Sequence, residues 1–220
     1  LAVLMSGKKV ICVTGSHGKT TTSSLAAHLL IEAGFAPTVA VGGNFKNINA
    51  NASAGEGDYF VAEADESDGS FLYYSPVFSI ITNTDREHLD YYHTFDAVIA
   101  AYKEFMGRTE SGGCLFFCAD DPQLAALSGS YQGRKVSFGL NECDCFARDI
   151  KLDGLESDFE CVYMGKSEGV FHLSLGGRHN VSNALSVIAL GFELGIGRDV
   201  IARTLSTYKG AARRLDIKLR

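Results

Sequence analysis

The run Lys9-Val10-Ile11-Cys12-Val13-Thr14-Gly15-Ser16-His17-Gly18-Lys19-Thr20-Thr21-Thr22 holds the residue types that bind a polyphosphate. A β-branched apolar stretch ends in a glycine-punctuated turn, and Gly-Lys-Thr opens the segment that follows. This is the pattern of a phosphate-cradling loop between a strand and a helix. A di- or triphosphate carries several negative charges, and the N–H groups at a helix N-terminus face it with no other partner. Gly15 and Gly18 allow close backbone approach and positive φ, Lys19 brings an ammonium to the β and γ oxygens, and the Thr20 hydroxyl suits a magnesium ion. The long form of this loop has a further glycine where Val13 stands, so a shorter loop is expected. An ordinary glycine-rich turn would account for the two glycines, but not for Gly-Lys-Thr at the head of an amphipathic helix.

Carboxylates follow at two later points. Tyr59-Phe60-Val61-Ala62-Glu63-Ala64-Asp65 is an apolar strand that runs into acids, and Glu63 holds the position from which an acidic residue completes a magnesium site opposite a phosphate-loop threonine. Asp65, Glu66 and Asp68 crowd the same edge, either as a solvated acidic loop or around a cation. Phe78-Ser79-Ile80-Ile81-Thr82-Asn83 repeats the shape and delivers Asp85, Glu87, His88 and Asp90. Among those acids His88 reads as a ligand of a second metal or as a proton-transfer group. His17 serves the loop's backbone on its bland reading, while His28, His93 and His172 read as surface or packing residues.

The elements that must position these residues alternate. Helices are predicted over residues 20–33, 97–105, 121–127, 180–194 and 199–208, with strands over 38–41, 59–65, 78–83 and 115–117, and residues 44–57 as a polar loop. That rhythm implies βαβ units, hence an α/β fold with a mainly parallel sheet and helices on both faces. Ligands of such sheets bind beyond the carboxyl ends of the strands, where the loop and both acidic groups fall. From about 135 to 176, short runs broken by Gly, Asp and Ser predict a small antiparallel β subdomain. With 220 residues the chain can bury a substantial core. A net charge of −6 argues against a nucleic-acid partner, and no apolar run approaches the roughly 20 residues that span a bilayer. The six cysteines lack zinc-knuckle spacing and read as reduced, buried thiols of a cytosolic protein. The opening Leu1-Ala2-Val3-Leu4-Met5 is too short for a secretory segment, and a start on Leu suggests an excised piece.

Five stretches, in order, resemble the Mur ligases: Gly15 to Thr22, Ala62 to Asp68, Thr82-Asn83 with Glu87-His88-Leu89-Asp90, Gly177-Arg178-His179-Asn180-Val181-Ser182-Asn183-Ala184, and Lys209-Gly210 with Arg213-Arg214. The Glu63 to Asp68 run is similar in particular to the branch that joins L-alanine to UDP-N-acetylmuramate. The resemblance covers essentially the whole chain. It implies the central ATP-binding domain of a cytoplasmic ligase of peptidoglycan assembly, without the family's N-terminal UDP-binding domain and its C-terminal domain. ATP and Mg2+ would be the cofactors, UDP-N-acetylmuramate and L-alanine the partners in the complete enzyme, and amide synthesis through an acyl phosphate the reaction. By motif, Gly15, Ser16, His17, Gly18, Lys19, Thr20 and Thr21 would hold phosphates, and Thr20, Glu63 and His88 the metal, with Lys19, Glu63 and His88 catalytic. His179, Asn180 and Asn183 would lie near adenine and Arg214 near the phosphates. The alternatives are a related ligase that adds a peptide and a non-catalytic nucleotide-binding module.

Overall fold

A computed structural model describes residues 2–211. In chain order the elements are β1 (Lys9–Thr14), α1 (Lys19–Glu32), β2 (Thr38–Phe45), β3 (Ala50–Ser53), β4 (Tyr59–Glu63), β5 (Phe78–Ile81), α2 (Leu89–Tyr92), α3 (Phe95–Gly107), β6 (Cys114–Cys118), α4 (Pro122–Ser128), β7 (Lys135–Gly139), β8 (Cys145–Asp153), β9 (Glu156–Tyr163), β10 (Lys166–Leu173), α5 (Arg178–Glu193) and α6 (Arg198–Thr207). The strands form one sheet of ten in the order β10-β9-β8-β7-β6-β5-β1-β4-β2-β3. From β2 through β4, β1, β5, β6 and β7 to β8 every pairing is parallel, as expected of βαβ units. Strands β3, β9 and β10 add antiparallel pairings at the two ends.

The central strands are apolar on both faces because both are covered. Val10 to Val13 of β1, Phe60 to Ala62 of β4 and the whole of Cys114 to Cys118 are buried. Helices α1 and α5 pack on each other, α1 against β1, β2 and β4, and α5 against β6 to β9. Helix α3 buries Tyr102 and Phe105, and Phe71 stacks on Phe105 at 5.0 Å between ring centroids.

Three local expectations are corrected. Helix α1 is not amphipathic: every residue from Thr20 to Leu30 is buried, and Ser24 satisfies its hydroxyl on Thr20 O inside the helix. Within the expected loop at 44–57 lies β3, a short edge strand against β2. The run at 135–139 is parallel to β6 and belongs to the main sheet, so the antiparallel set begins only with β8 and β9 and continues that sheet. Helix α4 starts as its Asp-Pro signal implies, with the Asp121 carboxylate accepting from the N–H groups of Gln123 and Leu124. All six cysteines are free, and burial pushes the Cys114 thiol up to about 12 and Cys143 to about 11, which suppresses thiolate chemistry at neutral pH. Among the described residues no helix is long and apolar enough to cross a membrane.

Candidate nucleotide and metal site

Strand β1 lies between β4 and β5, and the chain leaves it toward β2 on one side and later reaches β5 on the other, so its carboxyl end is a topological switch point. Val13 is still paired with Glu63 and Ile80 there, which is why no glycine is needed at that position. The turn occupies only residues 15–18. Gly15 has φ 130°, and a Cβ on it would lie 2.1 Å from Thr82 Oγ1; Gly18 has φ 85°, and its Cβ would lie 2.6 Å from Asn183 Oδ1. The loop is thus pressed between the end of β5 and helix α5. Asn83 fixes it by accepting from His17 N at 2.8 Å and donating to His17 O at 2.9 Å, while Thr82 Oγ1 donates to the same carbonyl at 2.6 Å. Ser16 Oγ accepts from Asp85 N at 2.8 Å. His17 Nε2 stands 3.3 Å from Asp85 Oδ2, and the Arg86 N–H and then His17 hold the Asp85 carboxyl below the usual range.

Two acidic clusters flank the head of α1. In the first, Glu63 accepts from Thr20 Oγ1 at 3.1 Å and from Gly42 N at 2.7 Å. A Cβ on Gly42 would sit 2.6 Å from that carboxylate. In the second, Lys19 Nζ donates to Gly15 O at 2.8 Å and to Glu66 Oε1 at 2.9 Å, and His88 Nε2 lies 3.3 Å from the same oxygen. Thr14 Oγ1 donates to the other Glu66 oxygen at 3.4 Å, and Tyr92 OH to its carbonyl at 2.6 Å. The Glu66 side chain is 1% exposed. Ligand atoms of Asp65, Glu66 and His88 fall within 4.8 Å of one another.

The structure therefore unites Glu63 with Thr20, as the sequence implies, but sets His88 beside Glu66 and Asp65 rather than beside Glu63. The sequence groups Glu66 with Asp65 and Asp68 as a solvated acidic loop or as acids around a cation, and nothing in its spacing announces that Glu66 alone of the three turns inward. The donor sets are one hydroxyl, three carboxylates and one imidazole, and the Gly42 cradle leaves room at Glu63. The hydroxyl and carboxylates are hard oxygen donors that fit magnesium, and the His88 imidazole adds a nitrogen to the second set. Thr20 and Glu63 would hold one ion, with Asp65, Glu66 and His88 on the other side of Lys19.

A cavity of about 650 Å³ opens from the loop. His17, Gly18, Thr21, Thr82 and Asn83 form one wall, and His179, Asn180 and Asn183 at the start of α5 another. Cys118, Pro122, Leu140 and Leu175 give apolar surface, and Lys46 with residues 209–211 closes the remaining side. The phosphate loop and the three α5 residues singled out in the sequence thus border one space. An apolar face next to amides that donate and accept suits a purine, and the helix N-terminus with Lys19 suits its phosphates. Arg214 lies outside the described residues.

A family model described as the Mur ligase middle domain matches residues 13–191. Among curated proteins, the UDP-N-acetylmuramate–L-alanine ligase of Aquifex aeolicus is 42% identical over 219 residues, which is 99% of this chain and 48% of that protein. Among solved structures, the MurC ligase of Thermotoga maritima superimposes with a TM-score of 0.86 at 29% identity, covering 99% of this chain and 49% of the other. The UDP-N-acetylmuramate:L-alanyl-gamma-D-glutamyl-meso-diaminopimelate ligase of Neisseria meningitides gives 0.85 at 26% identity, covering 96% and 69%. The chain spans about half the length of the curated relatives it matches.

Proposed function

The chain belongs to the Mur ligase family, matching that family's middle domain, and we propose that it binds Mg-ATP for a UDP-N-acetylmuramate–L-alanine ligase acting in the cytoplasm. A carboxylate is a poor electrophile, so the reaction runs in two transfers. The lactyl carboxylate oxygen of UDP-N-acetylmuramate attacks the γ-phosphorus, the bond to ADP breaks, and an acyl phosphate forms. The L-alanine amine then attacks the acyl carbon, loses a proton and expels phosphate, leaving the amide. In this reading the first-turn N–H groups of α1 orient the phosphates, and Lys19 stabilises charge on the transferred phosphoryl oxygens. Magnesium, when bound at Thr20 and Glu63 and at the Asp65-Glu66-His88 cluster, would neutralise phosphate charge. His179, Asn180 and Asn183 seat the base.

The observation that carries this reading is Lys19 at the head of α1, between two carboxylate clusters and next in the chain to Gly18, which lines a cavity bordered by amides. Calorimetric titration of the full-length protein with Mg-ATP tests it. Binding that needs magnesium and is lost in Lys19→Ala is expected, with turnover lowered about a hundredfold or more in Glu63→Ala and His88→Ala. Unchanged turnover in those two variants would instead mark a non-catalytic nucleotide module. Competition between L-alanine and the peptide used by the Neisseria relative decides the acceptor, and preference for the peptide would overturn the L-alanine assignment.

A further inference from the structure

The side of the cavity that carries Lys46 and Lys209 belongs to neither the phosphate loop nor α5. Lys46 lies in the turn after β2, and Lys209 on a strap, residues 208–211, that leaves the end of α6 and runs along the rim. Tyr208 anchors the strap to α1: the residue is 1% exposed, and its hydroxyl contacts Ser24 Oγ at 2.5 Å and donates to Thr21 O at 3.2 Å. Beyond Tyr208 the strap is held by the turn that follows β2. Lys46 N donates to Gly210 O at 3.1 Å, and Phe45 bridges Ala211.

A further tie is the carboxamide of Asn47. Asn47 Oδ1 accepts from Lys209 N at 2.9 Å, while Asn47 Nδ2 donates to Thr207 O at 3.0 Å and lies 3.2 Å from His28 Nε2. Thr207 is the last residue of α6, and its carbonyl is one that the helix itself cannot satisfy. One side chain thus caps α6 and orients the peptide that carries Lys209, using an acceptor and a donor at once. We propose that Asn47 is a positioning residue for the nucleotide: it sets the angle of the strap, and with it the cationic wall formed by Lys46 and Lys209 against the phosphate-bearing ligand. This rests on the nucleotide reading of the cavity and goes beyond it, because Asn47 does not line the cavity and acts only through the two lysines.

A merely structural Asn47 would lower stability and leave affinity alone. With Tyr208 anchoring the strap separately, a positioning role separates the two effects. In the full-length protein, Asn47→Ala and the isosteric Asn47→Asp, which keeps an acceptor for Lys209 N but offers Thr207 O no donor, should each raise the Kd and KM for Mg-ATP about tenfold. The kcat at saturating ATP should stay within about twofold, and the KM for the other substrates should not move. Lys46→Met/Lys209→Met, with the tie intact, should reproduce the affinity loss, and it decides the matter if the Asn47 variants fail to fold. Wild-type Kd in either Asn47 variant, or in the double lysine variant, overturns the proposal. Absence of Mg-ATP binding by the wild type removes the nucleotide reading and this inference together, whereas binding by the wild type with an unchanged Kd in Asn47→Ala removes this inference alone.

Discussion

Burying a carboxylate costs several kcal/mol unless cations and donors replace the lost water, and around Glu66 they do. Lys19 at 2.9 Å, His88 at 3.3 Å and Thr14 at 3.4 Å surround a side chain that is 1% exposed. Glu63 differs: it is half-buried, and its hydrogen-bond partners are neutral hydroxyl and backbone groups. The two acids should separate in a stability measurement. Glu66→Ala strands the Lys19 ammonium, itself 13% exposed, and should cost about 3 kcal/mol in chemical denaturation. Glu63→Ala should cost about 1 kcal/mol, while reducing turnover through loss of the acid beside Thr20. Equal losses of stability would show that Glu66 and Lys19 are not the coupled pair described here. The sequence distinguishes these acids poorly, because Glu63 ends a strand whose alternation points it at the loop, whereas Glu66 lies in irregular backbone whose direction no periodicity sets.

At the scale of elements, the junction of β1 and α1 was legible because each residue type there has one physical use. Gly18 illustrates it, with φ 85° and a Cβ position 2.6 Å from Asn183 Oδ1. Gly112 offers a control, since it has φ 94° and nothing within 4 Å of a Cβ. Alanine at either position should cost about 1–2 kcal/mol for the left-handed backbone, and only Gly18→Ala should raise the KM for ATP, by displacing Asn183 from the cavity wall. Matching KM values in the two variants would separate Asn183 from nucleotide binding. Elements whose identity depends on distant partners were less legible. Ala50–Ser53 has no strand composition and is a strand only because β2 lends it an edge, with the register slipping between Ala40 and Phe45. Val136-Ser137-Phe138-Gly139 reads the same in a parallel or an antiparallel pairing, and only the neighbouring β6 decides it. The threonines and serines of α1 suggest a polar face, yet tertiary packing buries that face: Ser24 bonds within the helix, Thr20 and Ser23 reach Glu63, and Thr22 Oγ1 has no partner among the described residues.

At the scale of the whole molecule, three separate parts of the chain meet where α1 passes beneath the turn after β2 and the end of α6. His28 occupies that junction, 5% exposed, with Nε2 at 2.9 Å from Thr207 Oγ1 and its ring 6.1 Å from Phe45 and 6.3 Å from Tyr208. Burial lowers its pKa below the ordinary value near 6.5, with Glu32 opposing that shift and Lys209 adding to it. The unfolded chain then binds the proton more readily than the folded one. His28 therefore contributes its full share of stability above about pH 6.5 and loses it as the pH falls from there through the lower folded value. Protonation would also set a cation against the Asn47 Nδ2 donor, at the point where the strap is tied. Unfolding free energy measured by denaturant at pH 7.5 and 5.5 should fall more steeply for the wild type than for His28→Gln, because the ion pairs of the other histidines are common to both proteins and cancel in the comparison. Parallel pH dependences would mean that the His28 ring is hydrated in solution and that the junction of α1, β2 and α6 is looser than the packing around Tyr208 implies.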